Sequence, residues 1–199
     1  MAPVVPDPKR IRAFKDGTAF EAWLSKNYAR ETELWLKIHK KSSGLPTVTY
    51  AEALDVALCW GWIDGLKKSF DEDSFLQRFT PRTKKSPWSQ INRNHVARLT
   101  KSGRMTEHGQ REIDAAKADG RWDAAYAPPS QITVPDDLMA ALKKVPKALA
   151  TFEKLNKANV YALAYRTLSV KTPAKRAEKI AGFVEMLARG EMIHPQKAK

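Results

Sequence analysis

Asp64 and Arg82 are the residues of this chain whose types and placement best suit chemistry. A carboxylate can give or take a proton as a general acid or base. A guanidinium can clamp a phosphate or carboxylate through two parallel hydrogen bonds. Trp62, Lys67, Trp88 and Asn92 lie close to them in sequence and complete a candidate ligand site. If residues 63–70 and 75–80 pair as a hairpin, Asp64 sits at its open end, beside the exit at Pro81-Arg82. A helix starting at Ser86 then aims its free amides at the same place, where they can hold an anion. An arginine, a helix N-terminus and indole faces together suit a phosphate attached to a planar group, such as a nucleotide. The same residues also fit a purely architectural account. In it Asp64 and Arg82 form a buried ion pair bracing the hairpin, Trp62 and Trp88 are core, and Asn92 is a local cap.

A second pattern overlaps the first. Arg78, Lys84, Lys85, Arg93 and Arg98, with Arg82, Lys101 and Arg104, surround Phe79 and Trp88. Basic residues interleaved with aromatic ones are the composition of a nucleic-acid surface, where charges meet phosphates and rings stack on bases. No sequence motif of a known nucleic-acid module accompanies the run.

Other chemistries find little in the sequence. His39, His95, His108 and His194 stand apart from one another, without the spacing of metal ligands, so no metal is expected. Cys59 is the single cysteine, which excludes an internal disulfide, and it falls on an apolar helix face as a buried, inert thiol. Nucleophile-elbow, Walker and dinucleotide-binding glycine motifs are missing, and no cofactor is expected. An enzyme built on Asp64 and Arg82 remains the third reading, behind a binding module and a nucleic-acid protein.

The charge supports binding. The 199 residues carry a net +13, unevenly spread: residues 66–104 carry +7 and 143–199 carry +9, whereas 105–142 carry −4 and 1–65 only +1. Basic blocks of this kind attract polyanions, acidic lipid or acidic proteins. The longest apolar run, Val56 to Ile63, is far short of the roughly 20 residues needed to cross a bilayer. The start at Met1 lacks the basic and apolar regions of a secretion signal, so the expectation is a cytoplasmic protein.

The elements that must position these residues can be read from periodicity and caps. Thr18 with Glu21 forms a capping box for a helix over 18–28, and alternation makes 34–40 a half-buried strand. Thr49 with Glu52 opens a second helix to about Trp60, closed by Gly61. After the hairpin, helices are expected from Ser86-Pro87 to Leu99, over 107–118, from Pro135, from Pro146 and from Thr172-Pro173 to Gly190. The fold class is α+β: a small antiparallel sheet of about three strands with packed helices, then a mostly helical C-terminal half. All six tryptophans precede residue 123 and the composition changes near Pro128-Pro129. The expected organisation is a flexible segment over 1–13, an α+β domain over 14–126, a helical region over 127–191 and a frayed basic tail over 192–199.

The stretch Tyr50-Ala51-Glu52-Ala53-Leu54-Asp55-Val56-Ala57-Leu58-Cys59-Trp60-Gly61-Trp62-Ile63-Asp64-Gly65 resembles the YdeI/OmpD-associated family, also labelled bacteriocin-protection proteins. Phe79-Thr80-Pro81-Arg82, Ser86-Pro87-Trp88-Ser89-Gln90-Ile91-Asn92, Gly103-Arg104-Met105 and Asp119-Gly120-Arg121-Trp122 extend the resemblance, which runs from about residue 14 to 190. Thr172-Pro173-Ala174-Lys175-Arg176-Ala177 stands where relatives carry a run rich in Thr and Arg. The family has no settled biochemical activity. Its names imply links to a porin and to survival under cationic peptides, hence a stress-related role. A chain at +13 repels a cationic peptide, so direct peptide binding is not expected. The leading expectation is a non-enzymatic stress-related protein that binds an anionic ligand or an acidic partner.

Overall fold

The computed structural model describes residues 4–196 and divides into two compact units, one ending at Ala125 and the other beginning at Tyr126. The first contains strand β1 (Ile11–Ala13), helix α1 (Gly17–Asn27), β2 (Leu34–His39), α2 (Tyr50–Cys59), β3 (Trp62–Ser69), β4 (Ser74–Pro81), α3 (Gln90–Lys101) and α4 (Glu107–Ala118). The second contains α5 (Asp136–Lys143), α6 (Pro146–Glu153), α7 (Lys157–Leu168) and α8 (Pro173–Ala188). The α+β class holds, with a correction to the sheet. It has four strands in the order β1-β2-β4-β3, and β1 runs parallel to β2 rather than antiparallel. Three residues of β1 are too short to show a period; the strand exists because Ile11 to Ala13 find the free edge of Trp35 to Lys37.

Local signals explain the elements that carry the site. At α2, Thr49 accepts from the Glu52 amide while the Glu52 carboxylate takes the Thr49 amide, a complete capping box that holds its carboxyl below the usual range. Helix α1 starts one step earlier than its sequence suggests, because the Asp16 carboxylate, rather than the Thr18 hydroxyl, takes the Ala19 amide. Helix α3 starts at Gln90, not Ser86. Ser89 is its cap, and Ser86 is spent in a turn with Thr83. The hairpin β3–β4 pairs Trp62 with Pro81 and Asp64 with Phe79, then slips by a bulge between Asp64 and Lys67.

Two apolar clusters hold the first unit. Phe20, Leu24, Leu34, Leu36, Ile38, Trp62 and Phe79 fill the space between α1, α2 and one sheet face. Leu54, Leu58, Cys59, Trp88, Val96, Leu99 and Ile113 join α2 to α3 and α4. Each such fully buried side chain contributes about 1.5–3 kcal/mol relative to exposure. Asp55, buried on α2, receives two bonds from the Arg98 guanidinium (2.6 and 2.8 Å) with His95 Nδ1 at 3.1 Å, which pins α3 to α2.

The second unit buries Leu138, Leu142, Leu155, Leu163, Phe183 and Leu187 among its four helices. Asn159 is fully buried there. Its amide nitrogen donates to the Asn156 side chain, the His194 carbonyl and the Gln196 side chain, and its oxygen accepts from the His194 amide. Met192 and Ile193 pack on the same core, so residues 192–196 are tied down rather than frayed; the rest of that expected tail, and residues 1–3 of the expected flexible segment, lie outside the described residues.

Candidate functional site

The open end of the β3–β4 hairpin carries a cleft of about 140 Å³, lined by Tyr28, Trp60, Gly61, Trp62, Pro81, Arg82, His108, Arg111 and Glu112. Three tight approaches bring its walls together. Gly61 closes α2 with φ +72°, and a Cβ there would stand 3.0 Å from the His108 carbonyl oxygen and 3.1 Å from Glu112 Cγ. Gly109 lets α4 cross the end of α2, since a Cβ would fall 2.6 Å from the Leu58 carbonyl oxygen. The Arg82 amide donates to the Gly61 carbonyl at 2.9 Å, locking the strand exit to the helix stop.

Aromatic rings form one wall. His108 lies against Tyr28 (centroids 4.0 Å apart) and stacks on Trp60 (5.3 Å, 24°), while the Trp60 indole donates to Glu21 and the Trp62 indole to the Tyr28 carbonyl. The polar wall is Arg82, Arg111 and Glu112. Arg111 Nη2 stands 3.4 Å from His108 Nδ1, and the Glu107 carboxylate stands 3.5 Å from His108 Nε2. The Glu112 carboxylate and the Tyr28 hydroxyl make no hydrogen bond or ion pair among the described residues.

Of the residues singled out from sequence, Trp62 and Arg82 line this cleft. Trp62 is also core, 1 % exposed and edge-on to Trp23. Arg82 is buried, with its guanidinium 3.5 Å from the Trp88 ring and Nη1 donating to the Pro87 carbonyl. Trp88 lies beneath it and meets Trp122 at 4.9 Å, and Arg93 and Lys117 cover Trp122 in turn. Asp64 turns to α2, where Oδ2 accepts from the Tyr50 hydroxyl at 2.8 Å. Lys67 lies over Phe75 at 3.9 Å, and Asn92 is buried in the first turn of α3, its amide on Ser89.

The basic run is dispersed. Arg78 grips Glu33 through two bonds, Arg98 grips Asp55 and Arg93 donates to the Trp122 carbonyl. Lys84 and Lys85 alone of these five are exposed without an ion pair among the described residues. Phe79 and Trp88 are buried, so their faces are closed to a stacking base. Burial also pushes the Cys59 thiol up to about 11, far from a reactive thiolate at neutral pH. Among the described residues no three His, Cys, Asp or Glu side chains gather to hold a metal ion, and no helix is long and apolar enough to cross a membrane.

Sequence reasoning missed Tyr28, Trp60, His108, Arg111 and Glu112 as site residues. Their one sequence signal is Gly109, a glycine inside a helix, which marks a close approach by another backbone and so places His108 and Glu112 beside α2.

Residues 12–112 match the family described as a domain of unknown function, DUF8412, and residues 131–190 match the family described as Bacteriocin-protection, YdeI or OmpD-Associated. The first match contains most of the motifs quoted above and every residue of the cleft; the second contains the run Thr172 to Ala177. No curated protein and no solved structure matches. With just over half of its length in the first match, the chain belongs to the DUF8412 family and carries a YdeI/OmpD-associated domain in its C-terminal part.

Proposed function

We propose that this is a non-enzymatic, cytoplasmic, stress-related binding protein, and that its cleft at the hairpin's open end receives the anionic group of a small ligand or acidic partner. The observation that carries the reading is the convergence of Arg82 and Arg111 with Tyr28, Trp60 and His108 around one opening. The exposed Arg111 at this opening, with the buried Arg82 in the same lining, favours an anion, because low local polarizability strengthens each charge-assisted bond. The net +13 steers anions toward the protein as a whole. At about 140 Å³ the cleft is below the roughly 300 Å³ of sites that enclose drug-sized ligands, so it fits a carboxylate or phosphoryl group rather than a whole nucleotide.

The nucleic-acid alternative keeps only charge in its favour, since Phe79 and Trp88 are core and Arg78 and Arg98 are paired. The enzyme alternative has Asp64 held by Tyr50 on α2 and absent from the cleft lining. Calorimetric titration with acetate and with inorganic phosphate tests the proposal. Saturable binding that weakens about tenfold in Arg111→Ala, an exposed substitution that leaves the core intact, is the expected result. Absence of binding, or equal binding by the variant, refutes the cleft as the anion site.

A further inference from the structure

Glu112 is out of place in a site made for a simple anion. It lines the same 140 Å³ as Arg82 and Arg111, and a carboxylate there repels an incoming phosphate. It has no partner among the described residues to neutralise it, and its stem is fixed against Gly61, where a Cβ would meet Glu112 Cγ at 3.1 Å. The Tyr28 hydroxyl is likewise uncommitted among the described residues, and aromatic rings such as those of Tyr28 and Trp60 beside it, each also packed on His108, attract a cation. The cleft thus offers guanidinium to a negative group and carboxylate plus aromatic faces to a positive one, within a space of about five waters at ~30 Å³ each.

We propose that the ligand is a small zwitterion, a free α-amino acid with a short side chain. Its carboxylate is received by Arg111 and Arg82 and its ammonium by Glu112 and the Tyr28 hydroxyl. Opposite charges borne on one α-carbon of a small molecule match opposite charges on Arg111 and Glu112, adjacent residues of α4. A ligand of about five to seven non-hydrogen atoms, the size of glycine, alanine or serine, fills the volume.

This inference rests on the reading of the cleft as an anion site, and one experiment separates the two. Glycine, serine, tryptophan, acetate and methylamine are titrated into the full chain and into Glu112→Gln and Arg111→Ala. Glycine and serine are expected to bind about tenfold more tightly than acetate, and tryptophan not to bind. Glu112→Gln is expected to weaken glycine about tenfold while acetate tightens, since the repulsion is gone; Arg111→Ala weakens both. Acetate binding without a glycine preference, or glycine binding unchanged in Glu112→Gln, overturns the zwitterion and leaves the anion site standing. If neither acetate nor glycine binds, both readings fall. Thermal unfolding of each variant at the wild-type temperature establishes that the losses are local, and Glu112→Asp, which keeps the charge, is expected to restore part of the glycine affinity.

Discussion

The two units pair many of their polar side chains in the same way and are best compared at the places where they do not. In the helical unit the one fully buried asparagine, Asn159, satisfies its amide nitrogen and its oxygen on Asn156, His194 and Gln196, so its polarity is used up in tying the chain end to α7. The exposed Asp137 is likewise consumed by Arg176, through bonds of 2.6 and 3.0 Å. In the sheet-containing unit Asp55 and Glu33 are consumed in the same manner, by Arg98 and Arg78. In the cleft, Glu112 and the Tyr28 hydroxyl line one opening without a partner among the described residues, while deeper in the same unit the Trp35 and Trp88 indole nitrogens and His39 Nδ1 are buried without one. Folding explains the satisfied groups, since an unsatisfied buried polar atom costs about 1–3 kcal/mol. It does not explain uncommitted groups gathered at one opening. Half-buried groups of this kind are open to a ligand as well as to water, and the proposed site draws on them.

The contrast is sharpened by the largest expected effects. Trp62→Ala removes a core indole from beneath the cleft together with its bond to the Tyr28 carbonyl, and is expected to destabilise by about 4 kcal/mol in denaturant unfolding. Asn159→Ala leaves the His194 amide and the Asn156 and Gln196 oxygens without that partner, for a loss of about 3 kcal/mol. Glu112→Gln, by contrast, breaks no internal bond and is expected within about 0.5 kcal/mol of wild type. A large loss there would erase the distinction between the cleft and the rest of the fold.

Acid gives a smaller effect. Arg176 holds the Asp137 carboxyl below its ordinary 3.8, and the Ser74 hydroxyl with Lys37 draws Asp71 down to about 2. Each carboxylate binds its proton less readily folded than unfolded. Their contribution is therefore complete above pH 3.8 and is lost as pH falls toward 2. Both groups are exposed, so Asp137→Asn is expected to cost under about 1 kcal/mol at neutral pH and to flatten the acid limb of the stability profile.

Much of this architecture is legible in the sequence because its causes are local. Thr49 and Glu52 cap α2, alternation from Leu34 to His39 makes β2, Pro146 and Pro173 open α6 and α8, and the polar Asp71-Glu72-Asp73 turn separates β3 from β4. Strand β1 is not local: it forms through an edge supplied by β2, twenty-odd residues away. At α3 two serines compete, and Ser89 prevails while Ser86 is drawn into its turn with Thr83. The candidate site divides along the same line. Trp62 and Arg82 flank the hairpin and were readable as neighbours, whereas His108, Arg111 and Glu112 arrive on α4 through the contact that Gly109 permits.

The six tryptophans make the most direct test possible. Indole N–H signals are followed by NMR while acetate, and then glycine, is added to the full chain. Trp60 lines the cleft; Trp35 is buried in β2 and outside its lining. The account predicts a saturable shift at Trp60, the same dissociation constant from the Gly61 amide, and no movement of Trp35. Shifts at Trp35 with Trp60 unmoved, or no shift in either, would contradict it.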